Sequence, residues 1–292
     1  MWTERQVAAN LQHLGVRAGM AVLVHATPQA IGPMEAGSAT LLHALLQVLG
    51  PEGTVLVPAF TPAHRDPAER AGRLTPTGEA ERLRATVPLC DGHTAPADPQ
   101  PPGEFPEIVQ KHPQARRSTH PILSFVAIGA QADFLTRQAP FHYPLGSESP
   151  LARLHQLNGY VLLIGTDHTA NVSLHLSEIW ANVPYIHRYA TVRTGEATWT
   201  RMQGSPECRR GFARIEPLLR QSRILREGPV GDAKAQLMAQ QQLVSMGVAL
   251  LQGERSFLLC EDPDCAWCAL ARKMNADPAT QTALRAEEIE RP

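Results

Sequence analysis

The strongest constraint on the fold lies in the first sixty residues. "MAVLVHA" (20–26) and "GTVLVPAF" (53–60) are short, apolar, β-branched runs, and between them "GSATLLHALLQVLG" (37–50) is apolar at 41, 42, 45, 46 and 49. Runs that are apolar at every position read as strands covered on both faces, whereas i, i+4 recurrence reads as helix. Strand, helix and strand within about forty residues form a βαβ unit, which implies a parallel pair and a right-handed crossover.

Other elements follow along the chain. Thr3-Glu-Arg-Gln6 has the spacing of a capping box, Val7, Leu11 and Leu14 continue it at helical intervals, and Gly15 ends it. "ILSFVAIG" (122–129) and "YVLLIG" (160–165) read as strands, and "AQADFLTRQA" and "SPLARLHQLN" (149–158) as helices, the latter with Ser149 as N-cap and Pro150 at N1. "RYATVRTGEATWT" (188–200) alternates like an antiparallel hairpin. "AKAQLMAQQQLVSMGVALLQ" (233–252) reads as one long amphipathic helix, followed by a cysteine-rich tail over 253–292. Residues 61–119 are dominated by prolines and charges, with a short helix at 104–112, and read as an excursion over a cleft. The expected class is α/β, with a mixed, largely parallel central sheet flanked by helices, in a single domain over 1–292.

A chain with 43% hydrophobic and 19% charged residues is a folded globule, and a net charge of −1 gives no reason to expect nucleic acid or an anionic membrane as partner. The N-terminal stretch lacks the pattern of a signal peptide, and no apolar run approaches the length of a bilayer span, so the cytoplasm is the expected location. Monomer and homodimer both remain open.

"NVSLHLSE" (171–178) carries the most chemistry. Helical spacing puts Asn171, His175 and Glu178 on one face, just beyond the strand "YVLLIG". A histidine there suits a general base and a carboxylate can hold its tautomer; the alternative is a buried structural histidine beside a surface glutamate. HExxH, GxGxxG, Walker A and GxSxG patterns are absent. "HATPQAIGPMEAGSAT" (25–40) joins strand to helix through Gly32 and Gly37, a junction able to cradle phosphate or to be an ordinary loop. "ARRST" (115–119) offers guanidiniums beside hydroxyls, either a phosphate fork or a solvated turn. "CEDPDCAWC" (260–268) spaces thiols as C-x4-C-x2-C, and Cys260, Cys265 and Cys268 with Cys208 make a candidate four-thiolate structural zinc site, against reduced structural cysteines or a redox pair.

Several blocks, in order, resemble the aminoglycoside 3-N-acetyltransferase family: "VLVHATPQAIG", "TLLHALLQVLGPEGTVLVPAFT", "RRSTHPILSF", "PLGSESPLARL", "LLIG…NVSLHLSE" and "GDAKAQLMAQQQLV". The resemblance implies direct acetyl transfer from acetyl-CoA to an amine of an aminoglycoside or similar small molecule. It implies His175 as general base, with Glu178 as its carboxylate partner and Asp167 as a second candidate. Ser124 or loop amides would meet the oxyanion. CoA would lie against His25, Ala26, Thr27, Gly37 and Ser38 and against Arg117, Ser118 and Ser124, with Arg116 or Arg117 available to its phosphates. The first loop departs from the family pattern, reading "HATP" and "EAGSAT", and residues 61–95 match poorly. Glu104, Glu107, Asp91 and Asp98 are candidate partners for a polycationic acceptor. Transfer to a non-antibiotic amine, and a catalytically idle CoA-binding member, are the rival readings.

Overall fold

The computed structural model describes residues 1–67, 77–87, 104–187, 189–195, 198–204 and 208–276. Its centre is the expected βαβ unit: β1 (Ala21–Ala26), α2 (Ser38–Leu49) and β2 (Thr54–Phe60), with β1 and β2 parallel in the register Ala21↔Thr54. On its other side β1 pairs in parallel with β5 (Tyr160–Ile164). Every residue of β1 is buried, as a strand with neighbours on both edges and layers on both faces requires. α1 (Glu4–Leu14) carries the predicted capping box, with the Thr3 side chain accepting from the Gln6 amide at 3.3 Å and the Gln6 side chain accepting from the Thr3 amide at 3.0 Å. Gly15 closes the helix at φ 111°, in the left-handed region.

The full sheet has seven strands in the order β3-β4-β2-β1-β5-β9-β8, adding β3 (Arg116–Arg117), β4 (Leu123–Gly129), β8 (Arg226–Val230) and β9 (Ala233–Ala239). It is mixed, as expected, but the parallel pairing is confined to β2, β1 and β5; β4 on β2 and β9 on β5 are antiparallel. The expected helix over 233–252 is corrected here. Ala233–Ala239 is a strand whose backbone closes the free edge of β5 from Tyr160 to Ile164, and the helix α9 begins only at Gln240 and ends at Gly253. Ala, Lys, Gln, Leu and Met are good helix formers, but an open edge on a central strand leaves a row of unpaired backbone groups, and pairing them outweighs local propensity. The partner strand β8 holds Pro229 on the sheet margin, where a missing N–H does least harm. Asn10 on α1 accepts from the Gly231 amide in the β8–β9 turn at 3.0 Å.

Alternation along β1 divides two apolar layers. Val22, Val24 and Ala26 face α1, α2 and α4 (Glu104–Lys111), while Ala21 and Leu23 face the layer holding α6 (Pro150–Gln156), α7 (Leu174–Trp180) and α9. His25 follows Leu23 on that second face. α5 (Ala132–Thr136) is shorter than its sequence suggested. Within 61–119, α3 (Thr77–Thr86) carries Arg84, whose guanidinium pairs with the buried Asp66 carboxylate at 2.6 Å. The expected hairpin is a separate two-stranded sheet of β6 (Tyr189–Arg193) and β7 (Trp199–Gln203), joined to the excursion by a bridge between Arg65 and Val192. α8 (Glu216–Gln221) and α10 (Ala266–Ala276) complete the described elements. No described helix is long and apolar enough to cross a membrane.

Candidate active site

The three parallel strands end on one side of the sheet, at Phe60, Ala26 and Ile164, where open α/β sheets present their ligands. Beyond β5, Asp167 accepts from the Thr169 amide at 2.8 Å and its hydroxyl at 2.5 Å, which starts a short 3-10 turn over His168–Ala170. Asn171 then accepts from the Ser173 amide at 3.2 Å and lies 3.2 Å from the His168 ring nitrogen. Asn171 therefore shapes the turn ahead of α7 and does not share a helical face with His175, contrary to the spacing argument. Asp167 is an exposed cap for its own turn, and the carboxylate at the histidine is Glu178.

His175 and Glu178, three residues apart on α7, are joined Nδ1 to Oε2 at 2.7 Å, and both are buried. The Tyr185 hydroxyl donates to the other Glu178 oxygen at 3.0 Å. A buried carboxylate without donors is expensive, so this pair of partners is what keeps it inside. Burial, and then the Glu178 charge, raise the Tyr185 pKa well above the phenol range, which keeps the hydroxyl a donor. Phe212 packs edge-on against the imidazole, with ring centroids 4.9 Å apart. With Nδ1 committed to Glu178, Nε2 is the ring nitrogen outside that bond. His175, Glu178 and Tyr185 border a mainly apolar cleft that Ile179, Ile186, Leu259 and Trp267 also line. Tyr185, Phe212 and Trp267 were not legible as site residues; the one available signal was an apolar "VPYIH" segment returning a tyrosine seven positions after Glu178.

The residues expected to hold CoA fall into two groups. His25, Ala26 and Thr27 lie at the carboxyl end of β1, and the Thr27 amide donates to the Ile164 carbonyl at 2.9 Å. His25 is buried, and burial followed by the Arg209 charge lowers its pKa to about 3; burial lowers that of His168 to about 4. Nε2 of each has no hydrogen-bond partner among the described residues. Gly37 precedes α2 at φ 56°, and the Ser38 hydroxyl donates to Glu104 at 2.7 Å, while Gln29 donates to the other oxygen of that carboxylate at 2.7 Å. A carboxylate of the chain thus sits against the first residue of α2, where the sequence suggested a phosphate cradle. Arg117 donates to Ser124 at 2.9 Å, Gln110 at 3.2 Å and the Ala59 carbonyl at 3.0 Å. Ser124 donates to Ala59 at 2.7 Å, and the Ser118 hydroxyl accepts from the Phe125 amide at 2.9 Å. Ser118, Ser124 and Arg117 secure the join between β4 and its neighbours and are not among the residues lining the His175 cleft. Arg116 pairs with Asp133 at 3.1 Å, and Glu107 with Lys111 at 2.6 Å. Asp91 and Asp98 lie outside the described residues.

The sulfurs of Cys208, Cys260, Cys265 and Cys268 all lie within 4.8 Å of one another, and Cys208 and Cys268 line the same cleft as His175.

Solved structures with this fold define the class. A binary complex of AAC-IIIb with CoASH aligns with TM-score 0.76 at 29% identity, over 86% of this chain and 97% of its own. A histidine-to-alanine mutant of aminoglycoside acetyltransferase AAC(3)-IVa in complex with a gentamicin aligns with TM-score 0.78 at 30% identity, over 93% and 97%. Aminoglycoside N(3)-acetyltransferase IV of Salmonella sp is 31% identical over 252 residues, covering 86% of this chain and 87% of that protein. The chain is an acyltransferase with an α/β fold. The family model described as Aminoglycoside 3-N-acetyltransferase matches residues 23–252, and the chain belongs to that family.

Proposed function

We propose that the protein transfers the acetyl group of acetyl-CoA to an amino group of an aminoglycoside, with His175 as general base. The observation that carries this reading is the buried Tyr185–Glu178–His175 relay opening onto a cleft in this family's fold. Relatives captured with CoASH and with a gentamicin support the two substrates.

The substrate enters as an ammonium and first gives one proton to solvent. As its nitrogen attacks the thioester carbonyl, Nε2 of His175 takes the second proton, and Glu178, accepting from Nδ1, holds the tautomer and steadies the imidazolium. The N–C bond forms, the C–S bond breaks, and the imidazolium returns its proton to the leaving CoA thiolate. The Ser124 hydroxyl already donates to Ala59, so we assign it no part in binding the oxyanion.

Free-thiol release from acetyl-CoA, assayed against aminoglycosides and unrelated amines, tests the reading. His175→Ala should lower kcat by about two to four orders of magnitude while CoA binding persists. An unchanged rate would remove His175 as the base. One observation favours a second acceptor class: Glu104 and Glu107, expected to meet a polycation, are engaged with Ser38 and Gln29 and with Lys111. Turnover confined to non-aminoglycoside amines would establish that class, and tight CoA binding without turnover on any amine would mark an idle member.

A further inference from the structure

The cluster of four cysteines behind the cleft is used by none of the chemistry above, and it brings together two distant segments of chain. Cys208 follows the β6–β7 hairpin; Cys260, Cys265 and Cys268 lie in the turn that enters α10 and in its first residues. All four are free thiols, with Cys260, Cys265 and Cys268 buried and Cys208 half-buried. We propose that these cysteines bind one zinc ion as a tetrathiolate, and that the ion fastens α10 across the wall of the His175 cleft.

The geometry and the donor chemistry both fit. Four sulfurs at about 2.3 Å from a tetrahedral zinc are about 3.8 Å apart, and here all four fall inside 4.8 Å. The surroundings suit thiolates. The Arg210 guanidinium, two residues from Cys208 and held by Asp262 between Cys260 and Cys265, brings a positive charge to the cluster. A Zn(II) tetrathiolate carries two net negative charges, and a guanidinium beside the sulfurs suits the second layer of such a centre. A redox pair would use two of the sulfurs and leave two buried thiols without a task.

The position gives the metal a consequence for the site. Cys268 and Ala271 of α10 face the cleft beside Tyr185, the residue that holds Glu178. Trp267, next to Cys268, carries the Arg65 guanidinium 5.6 Å from its ring centroid, which connects the same helix to the start of the excursion. The ion is a fastening, and the cysteines are positioning residues with no contact to reacting atoms.

The test uses the full chain, purified without an affinity tag that binds metal and dialysed against EDTA to strip surface ions. Mass spectrometry of the metal content should return about one zinc per chain, and X-ray absorption at the zinc edge should find four sulfur neighbours at about 2.3 Å. Cys265→Ser should lose the zinc. Should that variant not fold, refolding the wild-type chain with Co(II) provides the second measurement. Tetrathiolate cobalt gives thiolate-to-metal charge-transfer bands and intense visible d–d bands, and these should saturate at one equivalent. A folded, active chain with no zinc above background, a zinc bound through nitrogen or oxygen, or a disulfide among these cysteines in the native protein would overturn the proposal. Metal content is read independently of acetyl transfer. A zinc-loaded chain that acetylates no amine would count against the proposed function alone, and a metal-free active chain against the zinc alone.

Discussion

Glu178 makes the tightest demand at the scale of single residues, because both its oxygens are occupied and it has almost no water around it. Glu178→Gln preserves size and can still accept from one donor, but it cannot steady a charged imidazolium. We expect kcat to fall about a hundredfold or more, with acetyl-CoA affinity unchanged in equilibrium titration. Tyr185→Phe leaves the carboxylate in place with one oxygen unpartnered, at a cost of about 1–3 kcal/mol, and should lower kcat by about tenfold. A Glu178→Gln enzyme as fast as the parent would end the orienting role. His175 and Glu178 were readable from their spacing because i, i+3 residues on a helix are neighbours, a local fact. Tyr185 and Phe212 come from later turns that only tertiary packing returns to α7. The same limit explains Arg117, Ser118 and Ser124. Residue type suggested a phosphate fork at 115–119 and the family resemblance a part for Ser124 at the oxyanion, whereas the hydrogen bonds of these side chains secure the β3–β4–β2 junction.

At the scale of elements, α7 depends on α9. Gly247 on α9 passes directly over Ser177, and a methyl group there would stand 2.7 Å from the Ser177 Cβ. Two effects of Gly247→Ala oppose each other. Alanine gains about 1 kcal/mol of helix propensity. Overpacking against a fixed Cβ costs about 1–3 kcal/mol, because the backbone and not a flexible side-chain end has to yield. We expect net loss, with a lower Tm by differential scanning calorimetry and a kcat that falls through displacement of His175 and Glu178. A more stable variant would mean that the two helices separate without strain. The βαβ centre was legible because strand and helix periods differ and each run was long enough to show its own. The β8–β9 hairpin was not, since β9 is written in helix-forming residues and becomes a strand only because β5 presents an unpaired edge.

Across the whole molecule, three buried histidines give stability a direction with pH. Burial holds His25 neutral down to about pH 3, and His168 and His120 down to about pH 4. The His120 Nδ1 accepts from the amides of Ile122 and Leu123 at 3.2 and 2.9 Å, so the neutral form is built into the turn before β4. Folding lowers these pKa values below the unfolded value of about 6.5, so the unfolded chain binds more protons below that pH. Stability from these groups is complete above about pH 6.5 and is lost on acidification towards pH 4, by up to about 1.4 kcal/mol per pH unit for each histidine. Glu227, lowered to about 2 chiefly by its hydrogen bond from Arg220, adds to the loss once the pH falls into the ordinary carboxylate range, where the unfolded glutamate takes up its proton first. Urea unfolding at pH 7 and pH 5 should show the decline, and His120→Asn, which keeps an acceptor for the two amides but does not titrate, should make it shallower. Equal slopes in parent and variant would mean that His120 is not one of the groups responsible.

The position of β9 also bears on how the chain is made. On the ribosome, the edge of β5 that Ala233–Ala239 will cover stays open while more than sixty further residues are synthesised, and the anchor between Asn10 and Gly231 spans 221 positions of sequence. Closing so long a loop is slow, and an open apolar edge invites pairing with another nascent chain. Assembly of the sheet is therefore a late event, completed only once Ala239 has been translated, and until then the outer edge of β5 is open to other partners.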